Sequence, residues 1–344
     1  MRFLKKKNKT IYLHIGFMKT GTSAIQSFLA NNPEFLNRNG LYFPETNRNA
    51  MNYLAFSLLD KVPPYVHQKL DVTQNDLYKQ LKKEIDLSKS RNIIISTEAY
   101  SLISTSYFMG SEAPKVLKEI LNERHYDFKI IASIRKQDDY LISQYNQHIK
   151  THNFNNLFYG NIGQFYDDKK ELFDFNTILK RWEKVFGKEN IILSIYDKRK
   201  DSVEQFLKLF NIDSLVGVEG QKNVVNKKLT NKGLEFMRLA NKYDAIKKTA
   251  RQNYLLVDLI EEKLPENKTE PRLPDSILQK IKLDFYESNQ DLSNKYFNGN
   301  MSWFNLESKT EDESHIENLT VEDAVKVAVN IWNHYQNHTN NNEL

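Results

Sequence analysis

The stretch that decides the fold is Ile11-Tyr-Leu-His-Ile-Gly16-Phe-Met-Lys-Thr-Gly-Thr-Ser23-Ala-Ile-Gln-Ser-Phe-Leu29. Its first five residues form a short β-rich run, while Ala24, Ile25, Phe28 and Leu29 recur at helical spacing. The segment reads as strand, glycine-bracketed loop, helix. Such a loop suits an anion: glycines let the backbone approach, N–H groups converge, and the helix N-terminus adds positive potential. A loop for a nucleoside triphosphate places Lys-Ser/Thr directly after the second glycine, so that the lysine reaches the β and γ phosphates and the hydroxyl holds magnesium. Here Gly21 is followed by Thr22 and Ser23, and the lysine, Lys19, precedes it. A lysine inside the loop points at a shorter anion than a triphosphate, and Thr20, Thr22 and Ser23 add donors to a single phosphate. The alternative is a strand-to-helix turn in which Thr and Ser only cap the helix.

Working outward, residues 92–97, 129–134 and 190–196 are three more short apolar runs. They are separated by helix-like sequence: Leu77, Leu81 and Ile85 at period four, then residues 114–121 and 176–186. Near-continuous apolar strands alternating with helices imply a parallel sheet covered on both faces. The fold class is α/β, a three-layer domain with a central parallel sheet. Beyond Tyr196 the pattern turns helical, at 203–210, 231–243 and 274–296. Residues 265–274 hold three prolines and read as an irregular connection. A polar, acidic stretch at 307–317 precedes an apolar-patterned helix at 321–335, and residues 339–344 read as disordered. One domain is expected over residues 1–305, followed over 306–344 by a polar linker, a helix and a tail.

The 344 residues, 40% of them hydrophobic and 12% aromatic, suffice for a sizeable core. Forty-nine Lys and Arg against 44 Asp and Glu leave +5, which mildly favours anionic ligands and lacks the basic surface of a nucleic-acid-binding domain. With no cysteine there are no disulfides, thiolate nucleophiles or Cys-based zinc sites, in keeping with a reducing, cytoplasmic setting. No transmembrane run of about 18 apolar residues occurs. The basic start reads as a solvated tail, with peripheral contact to an anionic membrane surface as the alternative.

Residues 16–23 resemble the 5′-phosphosulfate-binding loop of sulfotransferases that use 3′-phosphoadenosine 5′-phosphosulfate (PAPS), whose core is Lys-Thr-Gly-Thr-Ser/Thr. A second piece agrees: Ile130-Ile-Ala-Ser-Ile-Arg135 followed by Ser143 resembles the family's 3′-phosphate motif. That spacing also has a physical reading, since Arg135 ends a strand and Ser143 lies on the following helix, 138–150. An arginine grips a phosphate bidentately and a serine donates to the same group. The resemblance extends more loosely to Phe297 and is nearest to the carbohydrate and heparan sulfate branch with its bacterial relatives. It implies a P-loop-like fold, PAPS as donor, 3′,5′-adenosine bisphosphate as product, and a glycan or other hydroxyl-bearing acceptor.

The same resemblance assigns roles. Lys19 would stabilise charge on the leaving oxygen, with Lys19, Thr20, Gly21, Thr22 and Ser23 holding the 5′ side and Arg135 and Ser143 the 3′-phosphate; Lys222, Lys227 and Lys228, in the basic loop 221–228, are further candidates for that phosphate or, equally, part of a solvated charged loop. Glu98, after the strand at 92–97, stands where heparan sulfate sulfotransferases carry a catalytic glutamate; the competing reading is a helix cap or a lysine's partner. His14 is the rival base and otherwise a hydrogen-bonded core histidine. The scheme calls for no metal. Tyr100, Tyr107, Phe108 and Trp303 are candidates for stacking on sugars. Two other functions remain open here: a P-loop-type nucleotide kinase, and a non-catalytic protein that keeps the nucleotide fold or binds glycans.

Overall fold

The computed structural model describes residues 8–50, 52–63, 73–122, 126–150, 158–215, 218, 229–243, 250–264, 273–306 and 319–339. Five strands form one parallel sheet: β1 (Thr10–Gly16), β2 (Leu41–Tyr42), β3 (Asn92–Ser96), β4 (Asp127–Ile134) and β5 (Ile191–Ile195). Their order is β2-β3-β1-β4-β5. The α/β class read from the sequence is the class observed. Ile11 lies beside Ile93 and Phe128, and Leu13 beside Ile95 and Ile130, so β1 is the central strand. Parallel neighbours require crossovers, and the helices Thr22–Asn31, Gln74–Leu87, Glu112–Asn122 and Phe175–Phe186 lie in them.

Side chains alternate across the sheet, so Ile94 and Ile131 join Ile25, Phe28, Leu29, Val203, Phe206 and Leu207 in one core cluster. Ile93 and Ile95 turn to the opposite face and are equally buried. Covering both faces is what makes these strands read as apolar runs rather than alternating ones. The helix ends are fixed locally. Thr73 accepts from the Asp76 amide, Asp174 from Thr177, and Asp201 from both Val203 and Glu204.

Contacts divide the chain into two compact units. One comprises Met1–Lys136, Glu171–Val224 and Phe285–Trp303 and holds the whole sheet. The other comprises Gln137–Lys170, Val225–Asp284 and Phe304–Leu344. It is helical, with Gln137–Lys150, Ile162–Asp168, Asn231–Tyr243, Ala250–Lys263 and Val321–Thr339. The last helix runs four residues past the expected 335 and ends at Thr339; residues 340–344 lie outside the described part.

Candidate anion site at the strand ends

In an open parallel sheet, ligands gather at the carboxyl ends of the strands where the strand order reverses. The chain leaves β1 toward β3 and later returns to β1's other side as β4, so the reversal falls at β1. The residues that follow β3, β1 and β4 are Thr97 and Glu98, the 17–21 loop, and Arg135. All belong to the sheet-bearing unit.

The loop is set by its backbone. Gly16, Lys19 and Gly21 have φ of 102°, 59° and 81°. A non-glycine residue in the left-handed region costs about 1 kcal/mol or more, so Lys19 has to be held there. Two bonds hold it: the Thr20 hydroxyl donates to the Phe17 carbonyl at 2.5 Å, and Arg135 donates to the Lys19 carbonyl at 3.2 Å. The Phe17 amide is anchored on Ser133 of β4 at 3.0 Å. Thr20 and Thr22 are buried, Lys19 is half-buried and Ser23 is exposed. Gly21 is the N-cap of helix Thr22–Asn31 and, having no side chain, makes no side-chain cap to its first turn. Gly21 is required twice over, because a Cβ there would also lie 2.4 Å from Ser202 Cβ.

Glu98 closes the neighbouring strand. It occupies the N-cap position of helix Ala99–Ile103 without capping it. Its carboxylate instead accepts from Gln26 Nε2 at 2.7 Å, a buried amide on the helix that follows the loop. A Cβ added to Gly16 would meet Glu98 Cβ at 3.0 Å, so the acid's backbone lies against the start of the loop. Upstream, Asn47 brackets Ser96, accepting from its amide at 2.7 Å and donating to its carbonyl at 3.3 Å. Thr97 donates to Asn52 at 2.6 Å. β2 pairs β3 only as far as Ile93, and the Asn47 carboxamide takes over the missing strand's bonds at Ser96.

His14 stands apart from this arrangement. It is fully buried, its Nδ1 lies 2.8 Å from Ser96 Oγ, and its ring packs on Phe206 at 5.0 Å. Burial pushes its pKa down to about 4. With no solvent-facing surface it is a core histidine that ties β1 to β3.

At the end of β4, Arg135 is buried, with its guanidinium 5.7 Å from the centroid of the Tyr196 ring. Ser133 and Ser194 share a hydroxyl contact of 2.8 Å on β4 and β5. Ser143 is buried on helix Gln137–Lys150 of the second unit. Lys227, with Lys222 and Lys228, lies outside the described residues. Among the described residues, no group of three or more His, Asp or Glu is placed to hold a metal.

One sequence expectation is corrected. Tyr100 does not offer a stacking face: it is fully buried, its hydroxyl lies 3.2 Å from that of Tyr78, and its ring meets Trp182 edge-on. Three residues at the site escaped the sequence reading, namely Gln26, Tyr196 and Ser202. Gln26 left a signal, since it lies four residues after Thr22 on the buried face of its helix. Tyr196 and Ser202 are brought to Gly21 from the far side of β5 by the fold alone.

Comparison with known proteins adds little to this. No family model and no curated protein matches the chain. Among solved structures, a sulfotransferase from Alicyclobacillus acidocaldarius aligns at 15% identity with a TM-score of 0.41, over 70% of this chain and 98% of that one.

Proposed function

We propose that this protein is a sulfotransferase that moves a sulfuryl group from PAPS to a hydroxyl of a carbohydrate or polysaccharide acceptor. The observation that carries the reading is Lys19, set between two glycines in a left-handed conformation and clamped through its carbonyl by Arg135. A lysine before the second glycine, rather than after it, supports a 5′-phosphosulfate over a triphosphate as the ligand. The catalytic domain is taken as residues 1–305, with 306–344 as linker, helix and tail.

In this reading the loop amides and the helix start at Thr22 and Ser23 hold the 5′-phosphate. Thr20 contributes through its backbone, because its hydroxyl proton is committed to Phe17. Arg135 takes the 3′-phosphate, and Ser143 and Lys227 are retained as further donors on sequence grounds alone. The acceptor oxygen attacks sulfur in line as the bond from sulfur to the bridging phosphate oxygen breaks, and the electron pair leaves with that oxygen. The ammonium of Lys19 offsets the charge developing there. Glu98, held by Gln26, takes the acceptor's proton. The products are the sulfate ester, 3′,5′-adenosine bisphosphate and that proton. None of these steps calls for a metal.

The reading is tested by incubating the protein with PAPS carrying labelled sulfate and a panel of glycans. Transfer that needs no magnesium and disappears in Lys19→Ala supports it. Transfer unchanged in Lys19→Ala contradicts the mechanism, and binding of adenosine bisphosphate without transfer to any acceptor points to a non-catalytic protein.

A further inference from the structure

The helix Val321–Thr339 has two different faces. One packs against helix Ala250–Lys263, with Val327 fully buried and Asn330 donating to the Leu259 carbonyl at 3.0 Å. At its start Asp323 pairs with Lys232 at 3.2 Å. The other face is apolar and open: Val321, Val325, Val329, Trp332 and Tyr335 are 83%, 54%, 52%, 59% and 61% exposed, and Ala328 is exposed with them. An ordinary surface helix would present charged residues there.

The spacing within this face is informative. Val321, Val325, Ala328, Trp332 and Tyr335 follow one another at intervals of 4, 3, 4 and 3 residues. That is the period of 3.5 that keeps a seam facing a partner helix, narrower than the stripe a helix turns toward a globular core. Val329 flanks the seam.

We propose that this face pairs with the same face of a second copy of the chain, as a two-fold antiparallel helix pair. Three observations select that occupant. The first is area. The two aromatics and three valines leave on the order of 500 Å² of apolar surface open, so a symmetric pair removes at most about 1,000 Å², the lower bound of a specific interface. The second is size complementarity: the antiparallel register sets Trp332 against Val321 of the other copy and Val325 against Ala328. A parallel register would stack Trp332 on itself and leave a gap at Ala328. The third is charge. The helix has one Lys or Arg, Lys326, which is already paired with Glu322 at 2.8 Å. A membrane-surface helix would have a basic polar face. The polar, acidic residues 307–318 that precede the helix include a single aliphatic side chain, Ile316, too little apolar surface to cover the stripe.

Sedimentation of the purified chain over roughly 1 to 100 micromolar, a range matched to an interface of this size, tests the pairing. The expected result is a concentration-dependent dimer that becomes monomeric in Trp332→Glu and in Val325→Glu, with circular dichroism unchanged and a thermal midpoint equal to that of the wild-type chain diluted to its monomer, because both side chains are exposed. Because the chain has no cysteine, introduced thiols report the register. A mixture of Val321→Cys and Trp332→Cys should form the mixed disulfide in preference to either homodimer. A wild-type chain that stays monomeric overturns the proposal, as does a dimer indifferent to both glutamates. Preferential cross-linking of Trp332→Cys to itself overturns the antiparallel register. A monomer that co-sediments with phosphatidylglycerol vesicles assigns the face to a membrane instead.

Discussion

The ends of β1 and β3 are neighbours in the sheet and are held in place by different physical means. After β1 the backbone does the holding, with three residues at positive φ between Gly16 and Gly21 and the Lys19 carbonyl clamped by Arg135. After β3 the holding is done by distant amides: Asn47 on Ser96, Asn52 on Thr97 and Gln26 on Glu98. A third link joins the two ends, the contact of His14 with Ser96. An anion-binding loop must be rigid and open, and backbone conformation gives both without filling the space. In the proposed reaction Glu98 has to be aligned to accept a proton, and the Gln26 amide supplies one fixed partner for its carboxylate.

The comparison can be broken most severely at Lys19. In the proposed reaction Lys19→Ala removes the charge beside the leaving oxygen, and sulfuryl transfer should fall about 10³-fold, near 4 kcal/mol. Single-turnover transfer of labelled sulfate checks this, with the melting temperature expected to hold.

The link between the ends is next, through pH. His14 is neutral in the fold with its pKa near 4, whereas the unfolded chain takes up a proton near 6.5. The unfolded state therefore binds the extra proton, and stability falls as pH drops through 6.5, the cost levelling off below about 4. Between pH 7.5 and 4 this single group should cost roughly 3 kcal/mol. Urea unfolding at both pH values should show a shallower pH dependence in His14→Gln than in wild type.

At the end of β3 the effects are smaller. Glu98→Gln should lower transfer about 10²-fold, through kcat, while adenosine bisphosphate binding stays as in wild type. Gln26→Ala should lower it about tenfold, through kcat, with adenosine bisphosphate binding unchanged. A Gln26→Glu variant should not restore it, since two carboxylates would then face each other. A loss confined to stability in Gln26→Ala would make that residue structural only.

The same contrast explains what was legible in the sequence. A loop specified by its own backbone must be spelled by its own residues, and Gly16, Lys19 and Gly21 could be read directly. So could the buried strands, whose apolar runs are the direct consequence of burial on both faces. Helix Asn231–Tyr243 was found to the residue, because its apolar period is uninterrupted. The two-residue β2 has no period to detect, and the short helices Pro33–Arg38, Glu45–Ala50 and Tyr53–Phe56 span too few turns to show one. Glu98 stands out by its resemblance to a glutamate of the heparan sulfate branch, but its partner Gln26 is 72 residues away and Asn47 is 49 residues from Ser96. At such separations the pairing itself leaves no local trace, even where a residue's burial, as at Gln26, can be read from its helix. Ser202 is the extreme case: nothing near Gly21 in sequence says that a serine from beyond β5 closes the space beside it.

The most direct test of the account is a calorimetric titration of 3′,5′-adenosine bisphosphate into the wild-type chain and into Lys19→Ala and Arg135→Ala, with MgATP titrated in parallel. The account expects micromolar binding of the bisphosphate without metal, weakened at least tenfold by either substitution, and no comparable heat from MgATP. Tight MgATP binding with no response to the bisphosphate would contradict it.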